Sequence, residues 1–398
     1  MSKYFYKYFV ISLFLFTFGG IFTLYMKSLT IVCCGLALVL FFIPIIRNFL
    51  NYKMPSSDTI FNIAYFLLLI WECYIIFAPY LLGGVILPDG YSLRVDYTLP
   101  AYFLPLLLLI RVRIFPLYKM FSYMKYVMLL ALILAFVNRN FWFEDYASLS
   151  FDDYQEVLMS TSSLMGLLNL GCILLPFSLF VRDKIFKWST FFCTLLSLLF
   201  CIVAARRGGL AISSLYVLTY IYFGVFYGKK RIPKWVVFIF AAIVIAIGVY
   251  MLLSSSLISY LLERGLEDTR SYVEFFFYMD FGTNYWDWIF GRGINGAYYC
   301  PLFVPVQRQV IETGYLFMIL KGGLIYLLLY GFLFAHAIFK GIRSSNVVLK
   351  IMAIELSIRL LTLYPYGLPA FGYADFFCWI FILYSEIYAK SAKTIDSF

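Results

Sequence analysis

The chain has 398 residues, 64% hydrophobic and only 13% charged. That composition excludes a soluble domain and a disordered chain. The formal net charge of +10 would suit nucleic acid, but the basic residues are distributed along the chain as membrane topology requires, so no nucleic-acid partner is expected.

Apolar runs of bilayer-crossing length recur throughout. They predict an all-α polytopic bundle in a single membrane domain (1–398) with about twelve spans: 4–24, 29–46, 60–82, 97–110, 121–137, 161–181, 188–205, 209–227, 235–254, 310–335, 347–364 and 370–389. The first is expected to be retained, because no small-residue cleavage site follows it. The fourth is short and carries Pro100 and Pro105, which predicts a kinked or broken helix. Alternate connections are basic (RNFLNYK, RVRIFPLYK, RDKIFK, GKKRIPK and 340–350), which places both termini in the cytoplasm. Of eight cysteines only Cys300 lies in a loop, so neither a disulfide framework nor a zinc motif is expected.

The longest break between apolar runs is an extracytoplasmic loop, 255–310, between the ninth and tenth spans. The non-cytoplasmic connections carry most of the acids. Their basic residues are almost all arginine: Arg94, Arg139, Arg206, Arg207, Arg264, Arg270, Arg292 and Arg308. Arginine there gains nothing from topology, and its planar fork suits phosphate. For Arg94 and Arg139 pairing with neighbouring acids is the expectation.

Arg206 and Arg207 end one apolar run and meet a glycine pair at the start of the next. Close backbone approach and a helix N-terminus there make an anion site, the alternative being a tight turn whose arginines contact lipid headgroups. Arg270 falls in a segment with Glu263, Glu267 and Glu274 at helical spacing, equally well explained as an ion-paired amphipathic helix. Trp286 and Trp288 are candidate sugar-stacking residues or interfacial belt, and Gly291 and Gly293 form a GxG turn. Arg308, Glu312 and Tyr315 are expected on one face of a helix start. There Glu312 is either a general base toward a sugar hydroxyl or a simple partner of Arg308. Lys321 lies deeper and must find a partner, for which Glu72 and the Glu355/Arg359 pair are candidates. His336, the single histidine, is expected to contact headgroups.

Taken together, ARRGGLA, then TRSYVEFF…WIFGRGIN, then ETGYLFMILKGGLI resemble, in order, elements of the bacterial O-antigen ligase and O-antigen polymerase family of multi-pass glycosyltransferases. The resemblance covers roughly the second half of the chain. It implies transfer of a glycan from undecaprenyl diphosphate to an acceptor sugar on the outer side of the cytoplasmic (inner) membrane, with no cofactor, nucleotide donor or metal. It also implies diphosphate binding by Arg206 or Arg207 and Arg270. For a polymerase of O-antigen, capsule or exopolysaccharide, a chain-length regulator is a further partner. Glu312 stands where the ligases usually carry histidine, which favours polymerase over O-antigen ligase. A lipid-linked oligosaccharide flippase is the competing reading, and related halves would be its signature.

Overall fold

The computed structural model describes residues 5–22, 26–49, 54–81, 99–110, 115–137, 151–203, 207–227, 269–302, 306–364 and 369–388. Almost everything in them is helical. Helices α1 (Phe5–Ile21), α2 (Lys27–Phe49) and α3 (Thr59–Leu81) precede a 3-10 helix, Leu99–Leu109. Next come α4 (Leu117–Val137), α5 (Phe151–Leu174), a 3-10 turn (Pro176–Leu179), α6 (Lys184–Val203) and α7 (Arg207–Phe226). After 228–268, which lie outside the described residues, come α8 (Thr269–Phe281), α9 (Tyr285–Phe290) and the paired strands β1 (Tyr298–Tyr299) and β2 (Gln307–Arg308). The chain finishes with α10 (Gly314–Arg343), α11 (Val347–Thr362) and α12 (Tyr373–Tyr388).

Six helices among the described residues are long and apolar enough to cross a membrane: α2, α3, α4, α6, α7 and α10. Shorter apolar helices cover Phe5–Ile21, Leu99–Leu109 and Ser162–Leu174. The expected ninth span, 235–254, lies outside the described residues. The expected fourth is the 3-10 helix. Pro105 cannot donate into an α-helical ladder, and its carbonyl accepts a bond from the Tyr65 hydroxyl at 3.0 Å.

At the centre is α12. It is buried on every face from Tyr373 to Glu386 apart from the partly covered Ala374, as a helix enclosed by other helices must be. Phe376 and Phe371 meet Phe9, Phe16, Phe41 and Phe115 from α1, α2 and the segment before α4, while Phe377 and Phe381 meet Phe121 and Phe177. Ring packing of this kind replaces the hydrophobic drive that lipid cannot supply between helices.

A second core joins α8 and β1 to the first half of α10 through Val273, Phe277, Phe281, Tyr298, Leu316, Phe317 and Leu320. This module (269–313) sits on the end of the bundle where α3 finishes and α10 begins. Its seat is a discontinuity. Gly323, at φ 69° and ψ −175°, interrupts α10, and the carbonyls of Leu320 and Lys321 lose their helical donors. The backbone amides of Arg292 and Gly293 donate to them at 2.8 and 2.9 Å. Likewise Pro79 has no N–H for the carbonyl of Ile75, and Ile294 donates to it at 2.9 Å. The Trp71 indole donates to the Gly322 carbonyl at 2.7 Å and stacks on Phe290.

Close approach requires glycine. A Cβ on Gly323 would lie 2.0 Å from the Ile289 carbonyl oxygen, and Gly291 shares its backbone conformation with φ 72°. Such φ/ψ values are essentially restricted to glycine and cost other residues on the order of 1–3 kcal/mol. Gly323→Ala is therefore expected to lower the thermal midpoint of the detergent-solubilised protein by at least that free energy. Gly331→Ala, in open space on the same helix, is expected to leave it unchanged or raise it.

Candidate functional site

Two polar regions lie in the half of the bundle beneath the module: its rim, and a buried group of charges further down.

At the rim, α8 packs over the start of α10. The Thr313 hydroxyl, at the helix N-cap, donates to the Glu274 carboxylate and accepts no capping bond from a backbone amide of α10. Tyr315 stacks on Tyr364 with ring centroids 6.1 Å apart. Arg308 faces Tyr298 across the β1–β2 ladder. Burial pushes the Tyr298 phenol up to about 12, with the Arg308 guanidinium pulling the other way and Glu312 close enough to add to the rise. Glu312 itself is exposed. The expected single helix face of Arg308, Glu312 and Tyr315 is therefore corrected. The helix begins only at Gly314, because Thr313 is extended (φ −77°, ψ 109°). Arg308 comes to the rim on a strand and Glu312 on the turn between them.

Of the other expected site residues, Arg206, Arg264, Glu263 and Glu267 lie outside the described residues, as do Arg94 and Arg139. For Arg207 and Arg270 the backbone alone is described: Arg207 opens α7 and Arg270 lies one turn before Glu274 on α8. Trp286 is exposed, whereas Trp288 packs edge-on to Phe277 and Phe281 and stacks on Tyr278. That gives Trp288 a packing role, with one ring face covered by Tyr278.

Arg292 is structural. It binds Asp287 through Nε at 2.8 Å, reaches Asp280 and the Ala297 carbonyl through one terminal nitrogen, and covers the Phe281 ring. One guanidinium thus ties α8, α9 and the glycine turn together.

Below the rim, Lys321 is fully buried and donates to the carbonyls of Ile294 and Gly296 at 2.7 and 3.0 Å. The partner expected from Glu72 or Glu355 is replaced by turn backbone, because the glycine turn enters the gap beside it. Arg359 makes a two-point bond to Asp375 at 2.7 and 3.0 Å and a third to Thr362. Its expected local pairing with Glu355 is corrected, since a two-point carboxylate on α12 satisfies the planar fork better. Asp375 was legible only as an acid inside an apolar run. Glu72 and Glu355 are both buried, and their carboxyl oxygens have no hydrogen-bond partner among the described residues. A group of this kind costs roughly 3 kcal/mol or more inside a membrane and marks function by default.

At the opposite end, His336 is not a headgroup contact. Its ring nitrogens lie 2.8 Å from Glu386 and 3.2 Å from Asp58, and Lys340 reaches Glu386 at 2.5 Å. Partial desolvation works to raise the Asp58 carboxyl, but bonds from His336 and the Ile60 and Phe61 amides outweigh it and hold it below its ordinary value. This cluster ties α3, α10 and α12 where α3 begins.

The fold so described is that of a helical membrane protein. Comparison with family models, curated proteins and solved structures finds no match to the chain.

Removing one partner of a buried pair leaves the other charge uncompensated, at about 3–5 kcal/mol. Asp375→Asn is thus expected to destabilise the protein by about that amount, measured as a fall in thermal midpoint in detergent. Pairing Asp375→Leu with Arg359→Met is expected to recover most of the loss.

Proposed function

We propose that the chain is a multi-pass glycosyltransferase of surface-polysaccharide synthesis. It moves a glycan from undecaprenyl diphosphate to an acceptor sugar hydroxyl on the outer face of the cytoplasmic membrane. The observation that carries this reading is the rim, where α8, the β2 strand and the turn before α10 meet. The position of Arg270 lies one turn from Glu274, Glu274 is bonded to Thr313, and Arg308 and Glu312 flank Tyr298. Arg308, a solvent-accessible carboxylate and the α8 position of Arg270 therefore share one edge. That edge lies at the end of the bundle opposite the basic 340–350 connection, which favours the non-cytoplasmic side.

Each group has a role. Guanidinium groups at the diphosphate neutralise the charge that develops as the anomeric C–O bond breaks, and the lipid diphosphate leaves with the electron pair. Glu312 takes the proton of the acceptor hydroxyl as its oxygen bonds to the anomeric carbon. Exposed Trp286 offers a face for the sugar. The chemistry needs no metal, provided the arginines supply the positive charge.

A flippase for lipid-linked oligosaccharide is the second reading. The interruption of α10 at Gly323 and the unpartnered Glu72 and Glu355 favour it, because broken helices and intramembrane acids serve transport.

Deleting the gene separates the readings. Loss of the transferase leaves single repeats on the cell surface, loss of a ligase leaves unattached long chains, and loss of a flippase traps lipid-linked repeats in the cytoplasm. Arg270→Ala, Arg308→Ala and Glu312→Gln are each expected to cut chain extension by roughly 10²-fold or more while the protein still inserts. Unchanged chain-length ladders from all three would overturn the transferase.

A further inference from the structure

Between α3, the Leu99–Leu109 3-10 helix, α10 and α12 lies a cavity of about 10 Å³, lined by Glu72, Tyr326, Tyr330, Asp375 and Trp379 among others. It has room for the centre of one water-sized occupant. Glu72 is 3% exposed, and both its oxygens and the Tyr330 hydroxyl lack hydrogen-bond partners among the described residues. Three orphaned polar atoms on one small cavity call for an occupant.

Charge decides which. Asp375 faces the same cavity, but its carboxylate is already paired with Arg359, and one of its oxygens also accepts from the Ala370 amide at 3.0 Å. Lys321 directs its ammonium to the glycine turn instead. Ionised Glu72 would leave one uncompensated negative charge. A dehydrated metal ion could use the two Glu72 oxygens, the Tyr330 oxygen and what is left of Asp375, too few donors to replace a hydration shell. A proton needs only one.

We propose that Glu72 is a proton-binding site inside the membrane domain, linked through a single water to Tyr330 and Asp375. The titratable groups facing it are Tyr326 and Tyr330 from α10, Tyr102 from the 3-10 helix by way of Tyr326, and Asp375 from α12 with Arg359 behind it. When the proton leaves, the Glu72 O–H bond breaks with its electron pair staying on the carboxylate, and the proton goes to the cavity water and from it to solvent. One uncompensated negative charge then stands in the cavity beside the Arg359-paired Asp375, and its need for hydration favours separation of α3 from α12. Protonation is thereby coupled to helix packing. The site goes beyond the transferase reading and holds whichever substrate the rim takes.

Infrared spectroscopy of the full chain in lipid nanodiscs tests it. A carbonyl-stretch band of a protonated carboxyl is expected at neutral pH. It should shift in heavy water, vanish in Glu72→Gln and stay unchanged when sodium is exchanged for choline. Glu355→Gln assigns any band from the other unpartnered acid. If Glu72→Gln fails to fold, Glu72→Asp keeps a carboxyl and should move the band. A wild-type band set retained in the Glu72 variants would overturn the proposal. So would a band that appears only when sodium is withdrawn, which would mean a bound metal ion.

Discussion

Backbone carbonyls stripped of their helical donors inside a bundle dictate much of this structure. Unsatisfied carbonyls are costly where water is scarce. Pro79 strips the carbonyl of Ile75, and the break at Gly323 strips those of Leu320 and Lys321. Three successive amides, Arg292, Gly293 and Ile294, pair with all of them. The match fixes where the module sits, which residues reach the rim, and why Gly291, Gly293 and Gly323 have positive φ. It also explains Lys321, whose ammonium is held by carbonyls of the same turn. The turn and the broken helix complete one another.

Around that junction charges are used in two ways. Arg292 is held by two acids and a carbonyl, Arg359 by one acid and a hydroxyl, and both act as ties. Their contribution is to specify which helices meet, since a buried pair adds little net stability over an apolar contact. Among the described residues Glu72 and Glu355 are left without such partners. The contrast within one bundle is informative: Arg359 is given a two-point carboxylate and Lys321 two carbonyls.

The helical class and the break at the Pro100–Pro105 run were legible in the sequence, whereas the interruption of α10 at Gly323 was not. Long apolar runs gave α2, α3, α4, α6, α7 and α10, and Pro100 and Pro105 marked the run that became a 3-10 helix. Contacts set by distant partners were not legible. Arg359 has an acid four residues before it, yet binds Asp375 on another helix. His336 sits near a helix end, where headgroup contact is the natural expectation, until Asp58 and Glu386 are brought to it from opposite ends of the chain. Arg308 and Glu312 have helical spacing, but the extended Thr313 ends the helix before reaching them. For Arg359 and His336 local spacing gave way to a tertiary partner with better geometry, and for Arg308 and Glu312 to an extended residue before the helix.

Hydrogen–deuterium exchange at the amides of Arg292, Gly293 and Ile294, in the protein embedded in nanodiscs, tests the junction most directly. Burial and bonding to α3 and α10 predict exchange as slow as in the bundle helices, although the three residues lie in an irregular connection. Exchange as fast as in an exposed loop would contradict the seating of the module and with it the placement of the rim.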